Sequence, residues 1–127
     1  GTAGAYAQLL TNLVQNSLLH GFNGRESGRI TVSASLKDNT VFWVYEDDGN
    51  GISREHQERV FEPFYTTARE RGGTGLGLSI IMNLVTGSFG GEMDLTSEIG
   101  KGVRFEVTFP AQMGMPQDPI QTAAISR

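Results

Sequence analysis

Cysteine is absent from the 127 residues of this chain. That absence excludes disulfide frameworks, thiolate metal sites and cysteine nucleophiles together. A basic block is missing as well. The 10 Lys and Arg are outnumbered by 14 Asp and Glu, giving a net charge of −4, which argues against nucleic acid as a main partner. No apolar run approaches the ~18 residues of a membrane-spanning helix. Aromatic residues are only 9% of the chain, but the hydrophobic share of 38% is enough for one domain with a real core.

Glycine is what the chain has in plenty. Its 17 glycines gather at 21–28, 49–51, 72–77, 87–91 and 100–102, a clustering that suggests tight turns and ligand loops, not low complexity. In the stretch 72–80, Gly73, Gly75 and Gly77 alternate and lead into an apolar run with helical spacing: Leu78, Ile81, Leu84 and Val85. A glycine loop that becomes a helix start points free N–H groups and the positive dipole end outward, which suits phosphate. Taken alone, the stretch fits a flexible turn capping a core helix equally well.

Taken in order, the chain begins with an expected helix over 5–19. Tyr6, Leu9, Leu10, Leu13, Val14 and Ser17 share one face, and Asn12, Asn16 and His20 form a polar stripe along its edge. Two asparagines one turn apart either bond neighbouring loops or offer a carbonyl oxygen to a hard cation such as Mg²⁺, which needs few protein ligands. Residues 30–36 alternate as a half-buried strand, Asp38-Asn39 supplies a hairpin turn, and 41–45 is apolar on both faces and therefore central. That strand runs into Asp47-Asp48-Gly49-Asn50-Gly51-Ile52. An Asp-x-Gly-x-Gly at a strand end puts a carboxylate at a cavity mouth, able to accept a hydrogen bond from an exocyclic amine such as that of adenine. A calcium loop is the rival reading, opposed by the strand standing where an EF-hand needs a helix.

Ser53 is a predicted N-cap for a short helix over 54–60, on which His56 reads as a solvated surface residue. Phe61 and Phe64 are spaced to plug a hydrophobic gap, and the helix after the glycine loop runs to about Thr86. Two closing strands are expected at 92–97 and 103–109, the second with Val103, Phe105, Val107 and Phe109 facing inward. Residues 111–127 show no sustained periodicity and read as a linker or tail after a domain at 1–110.

An asparagine helix, Asp-x-Gly-x-Gly, Phe-x-x-Phe and Gly-x-Gly-x-Gly thus follow one another in order. Together they make the chain resemble the catalytic and ATP-binding domain of sensor histidine kinases, within the group that includes gyrase, Hsp90 and MutL ATPases. The resemblance covers roughly residues 5–110. It implies an α/β (α+β) two-layer sandwich of the Bergerat type: a mixed, mostly antiparallel sheet, about four strands here, with three helices on one face. It also implies that the first family strand is missing before Gly1. The rival glycine motifs fit worse. A P-loop needs Gly-Lys-Ser/Thr, whereas the one Gly-Lys here precedes Gly102, and a dinucleotide fingerprint needs its third glycine at 78, which is Leu.

The resemblance assigns ATP and Mg²⁺ as cofactors. It makes Asp47 the acceptor for the adenine amine, with Gly51 lining the base pocket and Gly49 and Ile52 also meeting the nucleotide, and Asn16 the Mg²⁺ ligand, with Asn12 helping to place the phosphates. It gives His20 a phosphate or ribose contact and makes 66–73 a short lid. Phe64, Thr66, Thr67, Gly73, Thr74 and Leu78 would also meet the nucleotide, while Gly75, Leu76 and Gly77 present N–H groups to the phosphates. Departures are visible. Ala68 stands where a lysine often meets the γ-phosphate, leaving Arg69 or Arg71 to substitute; Val103 replaces a usual threonine, removing a hydroxyl near the base; Leu19 takes a place that is often basic.

Asn12 distinguishes branches of the group, because hydrolysing members carry a glutamate base there and an amide cannot accept a proton. A histidine acceptor needs no such base, being a neutral nucleophile near pH 7. The implied reaction is transfer of the ATP γ-phosphoryl group to a histidine, with slow hydrolysis. Neither His20 nor His56 has the acceptor context, so the acceptor is expected on a dimerisation domain outside this chain. The expected partners are that domain and a response regulator receiver domain, in a homodimeric, cytoplasmic or membrane-anchored full-length protein. The alternative is a degenerate nucleotide-binding regulatory module without kinase activity.

Overall fold

In a computed structural model of the chain, residues 2–62, 77–111 and 120–126 are described. Helix α1 (Thr2–Asn16) opens the fold. Strands β1 (Ser27–Lys37) and β2 (Thr40–Asp47) follow, then a single-turn helix α2 (Arg54–Gln57) and helix α3 (Gly77–Asn83). Strands β3 (Glu92–Ser97), β4 (Val103–Pro110) and β5 (Ile120–Ser126) complete it. The sheet order is β3-β4-β2-β1-β5, and every pairing is antiparallel. The strand rich in apolar residues on both faces, β2, is indeed central. The expected mixed character is not seen among the described strands, which pair only antiparallel.

The β1–β2 hairpin turns on Asp38 and Asn39, both at positive φ (51° and 63°). Two successive left-handed residues match the twist of the flanking strands, and short polar side chains tolerate that conformation best. Along β4 the pattern is strictly alternating: Val103, Phe105, Val107 and Phe109 are buried while Arg104, Glu106 and Thr108 point away. Ile30, Val32, Trp43 and Tyr45 extend the same apolar face across β1 and β2, where it meets Leu9 and Leu13 of α1, Ile81 of α3 and Val85 just beyond it. Trp43 stacks on Tyr45 at 6.3 Å and meets Tyr6 edge-on at 6.0 Å. This single layer of helices on one sheet face is the predicted α/β sandwich. On the other face Arg104 bridges Glu46 and Glu106.

Both long helices end in a wider turn. Phe22 N–H bonds the Ser17 carbonyl at 2.7 Å, and Phe89 N–H bonds that of Leu84 at 3.1 Å, each spanning five residues instead of four. The helix predicted over 5–19 therefore starts at Thr2 and changes pitch at Ser17. The predicted helix 54–60 shrinks to Arg54–Gln57, capped as expected by Ser53 accepting from His56 N–H at 3.3 Å. His56 is half-buried there, not fully solvated. The stretch 111–127 is expected to be a linker or tail after the domain, and the structure adds a strand within it. Ile120–Ser126 pairs with β1 from Ser27 to Ser33. The open edge of β1 offers unpaired N–H and C=O groups to any backbone that reaches it, whatever its side-chain pattern.

Candidate nucleotide-binding site

Asp47 ends β2, flanked in register by Ile30 on β1 and Val103 on β4. A carboxylate at such a place needs partners, because it is only 8% exposed. It has three. Oδ1 accepts the backbone N–H of Gly49 at 3.0 Å and of Val103 at 3.2 Å. Oδ2 accepts the Ser17 hydroxyl at 2.8 Å. Ser17 Oγ lies in turn 2.7 Å from the Tyr45 hydroxyl. Burial, eased by the Ser17 hydrogen bond and reinforced by the Asp47 charge, pushes the Tyr45 phenol well above its ordinary range. It remains a neutral donor at any physiological pH.

The loop after Asp47 is fastened on both sides. Asn50 N–H bonds the Gly21 carbonyl at 2.6 Å, and its side-chain amide reaches the carbonyls of Asn23 at 2.9 Å and His20 at 3.3 Å. On the far side, Gly100 N–H bonds Asn50 O at 2.8 Å, and Ile52 N–H bonds Ser97 Oγ at 2.8 Å. Gly51 (φ +77°) and Gly102 (φ +82°) lie where only glycine fits. A Cβ on Gly51 would strike the Glu98 carbonyl, and one on Gly102 the carbonyl of Asp47. The third glycine motif, 100–102, therefore acts by letting the β3–β4 turn close against the Asp47 backbone.

At the other end of the site stand the two asparagines of α1. Both are half-buried, and the Nδ2 atoms of Asn12 and Asn16 are out of water without a hydrogen-bond partner among the described residues. Buried amides left unpaired cost free energy, so they mark a place that a polar ligand would complete. The Asn16 amide faces Gly77, the first residue of α3, with Oδ1 3.6 Å from where a Cβ on Gly77 would stand. Asn16 also precedes Ser17, whose hydroxyl touches Asp47. One peptide unit thus joins the amide end of the site to its carboxylate end. Among the described residues no group of three or more His, Cys, Asp or Glu gathers as a metal cage. The donor set that fits a cation here is one hard amide oxygen, completed by water and phosphate oxygens, as Mg²⁺ accepts.

Asn16 is thus brought beside Gly77, and Ser17 next to it binds Asp47, with Gly49 on the same carboxylate; Asn12 lies one turn earlier on α1, Gly51 and Ile52 follow in the loop held by β3 and its turn, and Leu78 is half-buried next to Gly77. His20 sits in the wide turn after α1, half-buried, its carbonyl bonded to Asn50. Phe64, Thr66, Thr67, Arg69, Arg71, Gly73, Thr74, Gly75 and Leu76 lie outside the described residues. Sequence reasoning missed Ser17 and Tyr45, which were assigned to apolar faces. The available signal was a hydroxyl on each of two inward-facing stripes. Val103, noted for its missing hydroxyl, contributes its backbone N–H, and the hydroxyl at Asp47 comes from Ser17.

Residues 1–113 match the family described as "Histidine kinase-, DNA gyrase B-, and HSP90-like ATPase". The alginate biosynthesis sensor protein KinB of Pseudomonas aeruginosa is 35% identical over 103 residues, covering 81% of this chain and 17% of that protein. The chain thus spans about a sixth of the length of that curated relative. Among solved structures, the nucleotide-free catalytic domain of histidine kinase ThkA superposes with a TM-score of 0.67 at 31% identity, over 84% of this chain and 67% of that one. Full-length ShkA in complex with AMPPNP gives a TM-score of 0.68 at 28% identity, over 86% of this chain and 22% of that one. The chain belongs to the histidine kinase-, gyrase B- and HSP90-like ATPase family, and within it to the ATP-binding catalytic domains of sensor histidine kinases.

Proposed function

We propose that this domain binds Mg²⁺·ATP with Asp47 on the adenine amine and Asn16 on the metal, and presents the γ-phosphoryl group to a histidine outside the chain. The observation that carries the reading is the pairing of a fastened carboxylate with two buried amide Nδ2 groups that lack a partner among the described residues and that phosphate oxygens would satisfy. Asp47 is held as an acceptor, which suits an exocyclic N–H donor. Asn16 offers an amide oxygen to a cation that would bridge the phosphates, and Asn12, one turn earlier, would help place them. Gly77 N–H, at the start of α3, would meet phosphate together with Gly75 and Leu76, while 66–73 would form the lid with Arg69 or Arg71 toward the γ-phosphate. Mg²⁺ supplies charge neutralisation of the phosphates when bound.

Because Asn12 cannot take a proton, the domain has no general base at that position for water, and steady hydrolysis should be slow. The acceptor histidine would be carried by a dimerisation domain of a homodimeric sensor kinase, and the phosphoryl group would pass on to a receiver domain. Domain limits of 1–110, with 111–127 as a connecting segment that lends a strand to β1, and a cytoplasmic setting belong to the same proposal. Among the described residues no helix is long and apolar enough to cross a membrane. A non-catalytic module has less support, since nothing at Asn16 or Asp47 departs from the binding pattern.

Calorimetric titration with ATP and Mg²⁺ tests the pocket. Asp47→Asn should weaken ATP about tenfold or more, the scale of a hydrogen bond to a charged group. Glu62→Gln, at an exposed residue ion-paired with Arg59, should leave affinity unchanged. Equal effects, or no ATP binding by the unaltered chain, would overturn the assignment. Asn16→Ala should abolish the Mg²⁺ dependence of binding while the thermal transition persists.

A further inference from the structure

The Asp47 carboxylate accepts a third hydrogen bond that comes from a side chain instead of the backbone. It comes from Ser17, 30 residues earlier, and Ser17 is itself paired with Tyr45. Proton counting gives this chain of groups a single direction. Asp47 in its ionised form only accepts, so Ser17 must donate to it. Ser17 has one proton and has then spent it, so the Tyr45 hydroxyl must donate to Ser17. All three groups are buried, Tyr45 completely, Ser17 at 3% exposure and Asp47 at 8%, so water does not compete for the bonds.

The consequence is orientational. Two backbone N–H groups hold Oδ1, but a carboxylate held by one oxygen can still turn about its Cβ–Cγ bond. The Ser17 bond on Oδ2 fixes the plane, and with it the direction of the remaining Oδ2 lone pair. A serine hydroxyl within a helix can otherwise turn back to the carbonyl four residues earlier. Tyr45 opposes that by occupying an Oγ lone pair and leaving the proton for Asp47.

Resting on the assignment of Asp47 to the base, we infer that Ser17 and Tyr45 are positioning residues that set selectivity for a purine bearing a 6-amino group. Ser17 touches Asp47 and Tyr45 touches Ser17, and in this assignment neither is itself a nucleotide contact. Their removal therefore weakens the one contact that distinguishes an amine at that ring position and leaves the metal–phosphate contacts as they were.

The test compares equilibrium binding of Mg²⁺·ATP with that of Mg²⁺·purine riboside triphosphate, which lacks only the 6-amino group. The unaltered chain should favour ATP. Ser17→Ala should shrink that preference by about tenfold, as expected for a lost hydrogen bond to a charged group, with affinity for the deamino analogue unchanged. Tyr45→Phe should shrink it less, and Ser17→Thr should restore it. If Ser17→Ala weakens both nucleotides equally, or leaves the ratio intact, the positioning role is wrong and Ser17 is structural. Should the unaltered chain itself show no preference, the error lies with Asp47 and the proposed base pocket. Thermal melts of each variant separate loss of fold, which would lower both affinities together, from the selective loss expected here.

Discussion

Tyr45 combines three duties in one side chain: core filler, ring partner of Trp43 and Phe105, and hydroxyl donor to Ser17. Its phenol is held neutral, first by burial and then by the nearby Asp47 charge, against the easing effect of Ser17. In the unfolded chain the same group titrates near its ordinary value of about 10. The folded pKa is thus the higher one. The folded protein keeps a proton that the unfolded chain gives up, so this contribution to stability is whole below pH ~10 and is lost as pH rises above it. Tyr45→Phe should accordingly flatten the fall of Tm with pH on the alkaline side, while costing about 1 kcal/mol near neutrality for the lost hydrogen bond. Parallel alkaline melts of the two proteins check this; identical slopes would mean that Tyr45 ionises freely in the fold. At this scale motif spacing singles out Asp47 and Asn16 as candidates, but not the side chains that hold Asp47. A serine on a buried helical stripe looks like a tolerated small residue until the strand opposite it is known.

Among elements, the end of β2 and the loop after it carry the candidate site, and turns on both sides hold that loop. Gly102, like Gly51, is among the strictest of these constraints. It combines φ +82° with a backbone carbonyl that leaves no room for a Cβ, whereas Gly24, at φ +78°, has nothing within 4 Å of a Cβ. Gly24→Ala should therefore cost only the left-handed backbone penalty of about 1–2 kcal/mol. Gly102→Ala must also push the β3–β4 turn away from Asp47, and should cost clearly more, about 3 kcal/mol or above. Urea unfolding of the two variants measures the difference, and equal costs would show that the turn yields easily. The glycine clusters were plain in the sequence. Which of them face a ligand and which face another backbone was not, because that depends on the turn two strands away.

For the whole molecule, the sheet order puts the long hairpin in the middle and leaves two edges, β3 and β5. The pairing of Ile120–Ser126 with β1 covers an edge that would otherwise present a row of free backbone groups. A chain ending at Ala111 should keep the Asp47–Ser17–Tyr45 arrangement and its nucleotide selectivity. It should lose amide protection from Ser27 to Ser33 and self-associate more readily. Hydrogen exchange and sedimentation test both parts; unchanged protection would mean that β5 contributes little in solution.

Hydrophobic periodicity by itself marked α1, α3 and strands β1 to β4, because a side chain's period dictates which face must be buried whatever it is buried against; the two-layer arrangement followed from the family resemblance. The ordered set of asparagine, aspartate and glycine motifs pointed to the family, which the comparison bears out, and to Asn16 and Asp47 as candidate site residues. Tertiary structure alone decided which hydroxyl holds Asp47 and which backbone closes the edge of β1. The Ser17 bonds reach across 28 and 30 residues of sequence, and a polar atom's partner depends on what folding brings beside it. Edge pairing is made by backbone groups that every residue shares, and so it leaves little trace in the order of side chains.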